Sequence, residues 1–504
     1  MYSPLLRTDP VKDKERLIDF WPYQKVQFSK IFWGQLRLFS AMFTLQSDAA
    51  VPLYRQLYLQ IRDNILTGKF PAHFRLPSIR DLSDELAISR NTVDGAFQEL
   101  CAEGYIFSKS RRGYFVADIE LGIATPKPEA YPKQDLHPKL AERYRFDFHP
   151  ARLDPEIFPA ALWRKCLIDC IRASTRDFSE YSEPQGEWGL RCNIRFYLER
   201  SRGVHCSPDQ IVLSSGLQQN LEIVAQLIKG KHACVAVENP GYHLPRDVFR
   251  NMGFRINPFD IGPSGLNPED LMSSASTVVY ITPSHQMPLG YVMPVGERLK
   301  LISWAETGGR LIIEDDYDSE LRYAGSPISS LQGLNPQGNI IYQGTLSKVF
   351  SPALRLSYMV LPVGLADDYR EKFRNYLSPV PLLIQRTMIA FMERGHWEQH
   401  LRRVRIFYKK KHDVMLQAIR QYFGSRARVI GQGAGLHIVL ELAKSIECEA
   451  ELGEKAKQYG CRLLPFSDFY ADGLKEHNKL LLGFGWICMD DIPQGVELLS
   501  RLLE

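Results

Sequence analysis

The sequence has no run of about 18 uncharged apolar residues, so a membrane-spanning helix is not expected. Its nine cysteines are scattered and show no paired CxxC spacing, which leaves no zinc-type ligand pattern. Cys166 and Cys170 stand four apart, the spacing of one helical face, and no metal is expected. Scattered cysteines in a large chain fit a reducing cytosol, and a cytoplasmic location is the expectation. A net charge of +4 over 504 residues excludes a polybasic chain and leaves room for one local basic face. Internal repeats are missing, so a solenoid is excluded. The first forty-odd residues lack an apolar core followed by a small-residue cleavage site. They carry Phe20, Trp21, Phe28, Phe32 and Trp33, broken by Lys12, Lys14, Lys25, Lys30 and Arg37. One expectation is that translation starts at Met42, which a native intact mass would check. Residues 1–45 are left as an unassigned N-terminal extension.

What is present is a globular composition, 45% apolar and 24% charged, long enough for two to four domains. Residues 46–117 read as short helices closed by a Gly-rich hairpin. Residues 118–144 hold Pro126, Pro128, Pro132 and Pro138 among many charges, and read as a semi-extended linker. From 145 to 504, apolar runs such as IVLSSG, ACVAVEN, STVVYITPS, GRLIIEDD and NIIYQG alternate with amphipathic helical stretches. That alternation predicts an α/β fold with a mostly parallel sheet covered on both faces.

In the first region Leu53, Leu57, Ile61 and Ile65 form one helical stripe, and Gly68 ends it. Ser78 and Ser89 are N-cap candidates for two more helices. Arg80, Arg90, Asn91 and Thr92 cluster near helix starts, where a recognition helix meets base edges and phosphates. Arg111-Arg112-Gly113 gives a basic tip to a two-stranded wing. A small helical docking module would show similar patterning. The string LPSIRDLSDELAISRNTVDGAFQELCAEGYI, however, closely resembles the winged helix-turn-helix of GntR-type regulators. The resemblance implies double-stranded DNA as partner. It implies DNA contacts by Arg80, Ser89, Arg90, Asn91, Thr92, Arg111 and Arg112, with Gly113 letting the wing approach the backbone. Asp94 is expected either to read a cytosine amino group or to face away.

The second region ends several strands in chemistry-bearing motifs. Gly344-Thr345-Leu346-Ser347-Lys348 follows NIIYQ, and Arg355 stands seven residues on. Glu314-Asp315-Asp316-Tyr317 ends GRLII. Ser215-Gly216-Leu217 ends QIVLS and opens a helix, whose amides suit an anion. Asn239-Pro240-Gly241-Tyr242 ends ACVAVE. Each motif alone is an ordinary loop, but five in order resemble the fold-type I aminotransferases over residues 145–504. The resemblance implies a large α/β domain, a small α+β C-terminal domain, and pyridoxal 5'-phosphate (PLP) as cofactor. It implies a Schiff base on Lys348, Asp315 on the pyridine nitrogen, Tyr317 on the phenolic oxygen and Tyr242 stacked on the ring. It gives the phosphate to Ser215, Gly216, Leu217, Thr345, Ser347 and Arg355. Tyr181 resembles a tyrosine that reaches the neighbouring subunit's phosphate, which implies a homodimer.

A GntR-type winged helix joined to an aminotransferase-like domain is similar to the MocR subfamily of transcription regulators. That implies a PLP-dependent regulator sensing an amine, an amino acid or PLP itself. The other reading is an aminotransferase with an appended DNA-binding domain. Two departures favour the regulator. Met287 stands where aminotransferases usually place Asn before Pro-x-Gly. Leu481 falls where they carry the arginine that clamps the substrate carboxylate. Arg402, Arg403 and Arg405 are candidate substitutes for that arginine.

Overall fold

The computed structural model describes residues 43–119 and 144–504, apart from 174–175, 263–264, 324–327, 432 and 472–477. The expected start at Met42 and nearly all of the expected linker lie outside the described residues. The chain divides into two compact units, Met1–Pro138 and Lys139–Glu504.

The small unit begins with the helix Leu53–Leu66, which buries Leu57, Ile61 and Ile65 and leaves Leu53 only half-buried. Gly68 follows at φ 74°, a left-handed turn that glycine adopts without strain. The helices Ile79–Leu86 and Arg90–Ala102 start at Ser78 and Ser89. Each serine hydroxyl accepts from a backbone amide three residues on, Asp81 and Thr92, both at 3.1 Å. The second of these helices buries Val93, Ala96, Phe97 and Leu100. Two short strands, β1 (Ile106–Lys109) and β2 (Gly113–Val116), pair antiparallel with Ile106 opposite Val116 and Lys109 opposite Gly113. This is the expected winged helix.

In the large unit β3 (Phe146–Asp147) pairs with a strand near the C-terminus. An eight-stranded sheet contains β4 (Ile211–Ser214), β5 (Cys234–Asn239), β6 (Arg255–Gly262), β7 (Gly265–Leu266), β8 (Val278–Ile281), β9 (Leu311–Asp316), β10 (Ile340–Thr345) and β11 (Ser357–Val360). Their spatial order is β4-β11-β10-β9-β8-β5-β6-β7. β5, β6, β8, β9 and β10 run parallel; β11 runs antiparallel to both β10 and β4. Successive residues serve opposite faces. Val235, Val237, Ile313 and Ile341 join one buried cluster, while Ala236, Val279, Ile281 and Ile312 join another. Both faces are therefore covered, which is why the strands read as continuous apolar runs.

The C-terminal part holds an antiparallel sheet of β12 (Ala427–Ile430), β13 (His437–Leu442) and β15 (Lys479–Gly483), with β14 (Cys461–Arg462) paired to β3. The 28-residue helix His396–Phe423 leads into it. Phe350, two residues after Lys348, is the hub of an aromatic cluster. Its ring lies 5.2 Å from Phe391, 5.3 Å from Phe158 and 5.4 Å from Trp163. A fully buried ring in such packing fixes the backbone on which Lys348 stands.

Candidate cofactor site and nucleic-acid interface

Register brings the site together. Ser357 opens β11 opposite Ser214, the end of β4, and also opposite Thr345, the end of β10. Because β11 is reversed, its first residue lies level with the last residues of both neighbours. Ser357 Oγ bonds Ser214 Oγ at 2.7 Å and accepts from the Gly216 amide at 2.8 Å. Thr345 Oγ1 donates to Ser347 Oγ at 2.9 Å and accepts from the Ser347 amide at 3.1 Å. Arg355 Nη2 donates to the Ser215 carbonyl at 2.6 Å. Arg355 has φ 49° and Gly216 has φ 96°. A Cβ on Gly216 would stand 2.2 Å from Arg355 Nη2, so glycine lets the guanidinium lie against this turn. Leu217 then starts the helix Leu217–Ile228. The sequence-predicted set Ser215, Gly216, Leu217, Thr345, Ser347 and Arg355 is thus gathered at one edge of the sheet, where hydroxyls and one guanidinium offer groups that suit a phosphate.

Beside that edge, alternation along β9 sorts its three acids. Glu314 accepts from the amides of Leu331 and Gln332 at 2.9 and 3.1 Å. Asp316 is held by Arg202 at 2.6 Å and by the Tyr342 hydroxyl at 2.5 Å. Only Asp315 turns to the other face, where the Tyr280 hydroxyl donates to it. Burial pushes the Asp315 carboxyl up to about 7, against the lowering pull of the Tyr280 hydrogen bond. Lys348 is half-buried, donates to the Pro150 carbonyl at 3.1 Å and lies 5.9 Å from the centre of the Tyr317 ring. Burial draws its ammonium below the ordinary lysine range, against Asp318 and Asp315. A lysine disposed to lose its proton is the nucleophile that a carbonyl cofactor requires.

Tyr242 and Tyr317 pack on an apolar cluster of Met287, Leu289, Ile430, Val439, Phe466, Phe469 and Leu481. Leu481 sits in β15 opposite Val439 and is buried, so the wall beside Tyr317 offers an anion no cation at this position. The candidate substitutes have contacts of their own. Arg403 donates to the Ile157 carbonyl and Arg405 to the Glu320 carbonyl, and Arg402 lines a separate surface cavity of about 300 Å³ with Tyr197 and Arg200. Tyr181 is not brought to Lys348 within one chain; it is 84% exposed. Tyr280, His285, Asp318 and Pro150 are neighbours of the site that sequence reasoning missed. Of these only His285 has a local signal, the polar run Ser284-His285-Gln286 after an apolar strand, all three buried.

On the small unit Arg80, Ser89, Arg90 and Asn91 are exposed and Thr92 is half-buried. Ser89 and Thr92 hydroxyls bond each other at 2.8 Å, so both also build the helix start. Asp94 accepts from Gln98 at 2.9 Å along the helix. The wing turn carries Arg111 at φ 60° and Arg112, both exposed, and Gly113 at φ 97°. Arg75 and Lys109, not anticipated from the sequence, extend this basic edge. Arg75 runs beside Gly113, and Lys109 lies 5.2 Å above the rings of Phe107 and Phe115.

Residues 53–116 match the family described as bacterial regulatory proteins, gntR family, and residues 154–478 match aminotransferase class I and II. The chain is 31% identical to the probable rhizopine catabolism regulatory protein MocR of Rhizobium meliloti, over 91% of this chain and 95% of that protein. The chain belongs to the MocR-type regulators. It is also 36% identical to the HTH-type transcriptional regulator YhdI of Bacillus subtilis (strain 168), over 90% and 97% of the two chains. The large unit is similar to kynurenine aminotransferase of Pyrococcus horikoshii, with TM-score 0.65 and 25% identity over 72% of this chain and 91% of that one. It is similar too to LysN, an α-aminoadipate aminotransferase of Thermus thermophilus, with TM-score 0.64 and 26% identity over 71% and 92%. The cofactor that this MocR-type chain's aminotransferase match indicates is PLP, and the hydroxyls and guanidinium at the sheet edge, Asp315 and Lys348 fit it. No helix among the described residues is long and apolar enough to cross a membrane.

Two outcomes follow for the MocR-type chain. Arg111→Ala is expected to weaken operator and random duplex alike and to lower the slope of log affinity against log salt by about one. A loss confined to the operator in a salt-dependent binding assay would assign Arg111 to base reading instead. For Asp315 the folded carboxyl titrates at about 7 and the unfolded one near 3.8. Its contribution is complete below the lower value and is lost as pH rises through the upper one. Cofactor-free Asp315→Asn is therefore expected to gain stability on the cofactor-free wild type between pH 5 and 8 (about 1.4 kcal/mol per unit of pKa difference). Denaturant titrations across that range check it, and parallel curves would refute it.

Proposed function

We propose that this MocR-type regulator binds double-stranded DNA through the small unit and holds PLP as a Schiff base on Lys348 in the large one, where an amine, an amino acid or PLP acts as effector. The observation that supports it is the coincidence, in one chain, of an intact basic winged helix and a lysine drawn toward neutrality beside Asp315. Bound PLP supplies an electrophilic carbon and an electron sink. The protein's own groups do the rest. Asp315 holds the proton on the ring nitrogen. Tyr242 covers the ring, Tyr317 donates to its phenolic oxygen, and the Ser215–Leu217 turn with Thr345, Ser347 and Arg355 neutralises the phosphate. Exposed Tyr181 is assigned to the phosphate of a second copy, which makes the working unit a homodimer. The winged helices recognise their operator with Arg80, Ser89, Arg90, Asn91 and Thr92, and the wing with Arg111, Arg112 and Gly113.

A ligand shifts operator binding only through unequal affinity for two states of the protein. An effector amine that took the place of the Lys348 amine on the cofactor would provide that inequality, because it would free the lysine. The apolar wall at Leu481 supports sensing over turnover, since it lacks a clamp for an α-carboxylate. PLP as effector has its own support: a relative 29% identical over 85% of this chain is named a pyridoxine biosynthesis transcriptional regulator, PdxR, of Corynebacterium glutamicum. Lys348→Ala is expected to lose the visible absorption of the Schiff base and, with it, effector-dependent change in operator affinity. Undiminished response in that variant would rule out the covalent switch. Steady turnover of an amino donor with a keto-acid acceptor would favour the enzyme reading.

A further inference from the structure

Asp315 has one close companion, and it comes from the neighbouring strand. Tyr280 in β8 stands opposite Ile313 of β9, two residues before Asp315. Successive side chains alternate, so Tyr280, Ile313 and Asp315 share one face of the sheet. Two residues along a strand span about 7 Å, a distance that a tyrosine side chain covers. The Tyr280 hydroxyl donates to Asp315 Oδ2. Tyr280 is buried in the apolar cluster that holds Val237, Ile313 and Ile341. Its hydroxyl has no other hydrogen-bond partner among the described residues, and Asp315 Oδ1 accepts no hydrogen bond from them.

A tyrosine hydroxyl has one proton to donate, and here it meets one acceptor. Its bond to an ionised carboxyl is stronger than its bond to a neutral one, so Tyr280 favours the charged acid. Burial works the other way, and the Asp315 carboxyl stands at about 7 with the bond in place. Loss of the hydroxyl would push it higher still. That matters for a ring nitrogen that has to keep its proton, because a less basic carboxylate leaves more of the proton on nitrogen. Direction matters too. The tyrosine arrives from the core side, level with Ile313, whereas Lys348 and the phosphate groups lie at the carboxyl ends of the strands. With Oδ2 taken from the core side, Oδ1 is the oxygen left for a ligand. We propose that Tyr280 is a positioning residue, which holds one oxygen of Asp315 as a charged acceptor and leaves the other for the protonated ring nitrogen of the cofactor. The proposal rests on the reading that PLP sits at Lys348. Tyr280 acts through Asp315 alone.

The first test follows the infrared band of the protonated Asp315 carboxyl against pH in cofactor-free, full-length protein, the band being assigned by its loss in Asp315→Asn. Tyr280→Phe removes only the hydroxyl and changes no charge. Its midpoint is expected to rise by about one pH unit. An unchanged or lower midpoint overturns the proposal, and lost stability with an unmoved midpoint would mark Tyr280 as packing alone. The other groups around Asp315 are Asp316, Tyr317 and Asp318 in and after its own strand, Lys348 after β10, and Glu238 and Tyr242 from β5 and its loop. All of them are common to the proteins compared. A second variant moves the midpoint the opposite way. Ring-fluorinated tyrosine in place of Tyr280 is a more acidic donor of nearly the same shape, and burial keeps that hydroxyl protonated. A lower midpoint is expected, and a rise or no shift contradicts the proposal. In full-length holo-protein, nitrogen NMR of PLP labelled at the ring nitrogen should show a protonated nitrogen that moves toward the unprotonated form in Tyr280→Phe. In an Asp315→Asn background the same substitution should leave the signal in place. No movement in the first case, or movement in the second, overturns the proposal. Should the wild type bind no PLP, the cofactor reading fails, while the infrared midpoints still decide whether Tyr280 governs Asp315.

Discussion

The antiparallel insertion of β11 between β4 and β10 is the constraint on which the site depends. In an all-parallel sheet the loops after β4 and β10 would be separated by the carboxyl end of another strand. Here the start of β11 stands between them, and Ser357 ties Ser214, Gly216 and Thr345 into one edge. Arg355, two residues earlier, falls at the same edge and is held there by its left-handed backbone and by the glycine it rests on. Strand order alone gathers these hydroxyls and the guanidinium at one edge, before any ligand is considered. Lys348 lies three residues beyond the end of β10, with Phe350 anchoring the segment in the aromatic core.

The second constraint is alternation. β9 carries three consecutive acids, yet pleating gives two of them to structural partners and one to the site. Glu314 caps the turn at Leu331, and Asp316 closes a buried pair with Arg202. Asp315 remains, with Tyr280 as its companion and no cation bonded to it among the described residues. A raised carboxyl and a lowered lysine in one pocket reflect the same fact, that burial penalises both charges while nothing on the chain fully compensates them.

Much of this was legible in the residues. Apolar runs that end in Ser-Ser-Gly, Asp-Asp-Tyr or Thr-x-Ser-Lys mark strands and their functional ends, because a doubly covered parallel sheet demands apolar strands and puts chemistry at their carboxyl ends. Serine before a periodic stretch located two of the three helix starts described in the winged unit. Other features were not legible. Which of Glu314, Asp315 and Asp316 faces the site depends on register, and only the resemblance to aminotransferases singled one out. Tyr280 reaches Asp315 and His285 reaches Tyr317 from other elements, and no local pattern announces such pairings. Arg403 and Arg405 looked available because a helix presents arginines freely; carbonyls of Ile157 and Glu320 claim them. Arg75 and Lys109 join the basic edge only through pairing, Arg75 with Phe115 and Lys109 with Gly113, which the local sequence does not show.

The two ends of the chain thus carry complementary chemistry. One is a basic edge that has no need of a cofactor. The other is a pocket whose lysine, carboxylate and edge of hydroxyls and guanidinium suit PLP and whose apolar wall beside Leu481 is poor in means to grip a carboxylate. The point of attachment of the cofactor is decisive. Borohydride reduction of the holo-protein, followed by peptide mass mapping, measures this directly. The phosphopyridoxyl group is predicted on Lys348; a label on another lysine, or none after reduction of PLP-saturated protein, would contradict the account.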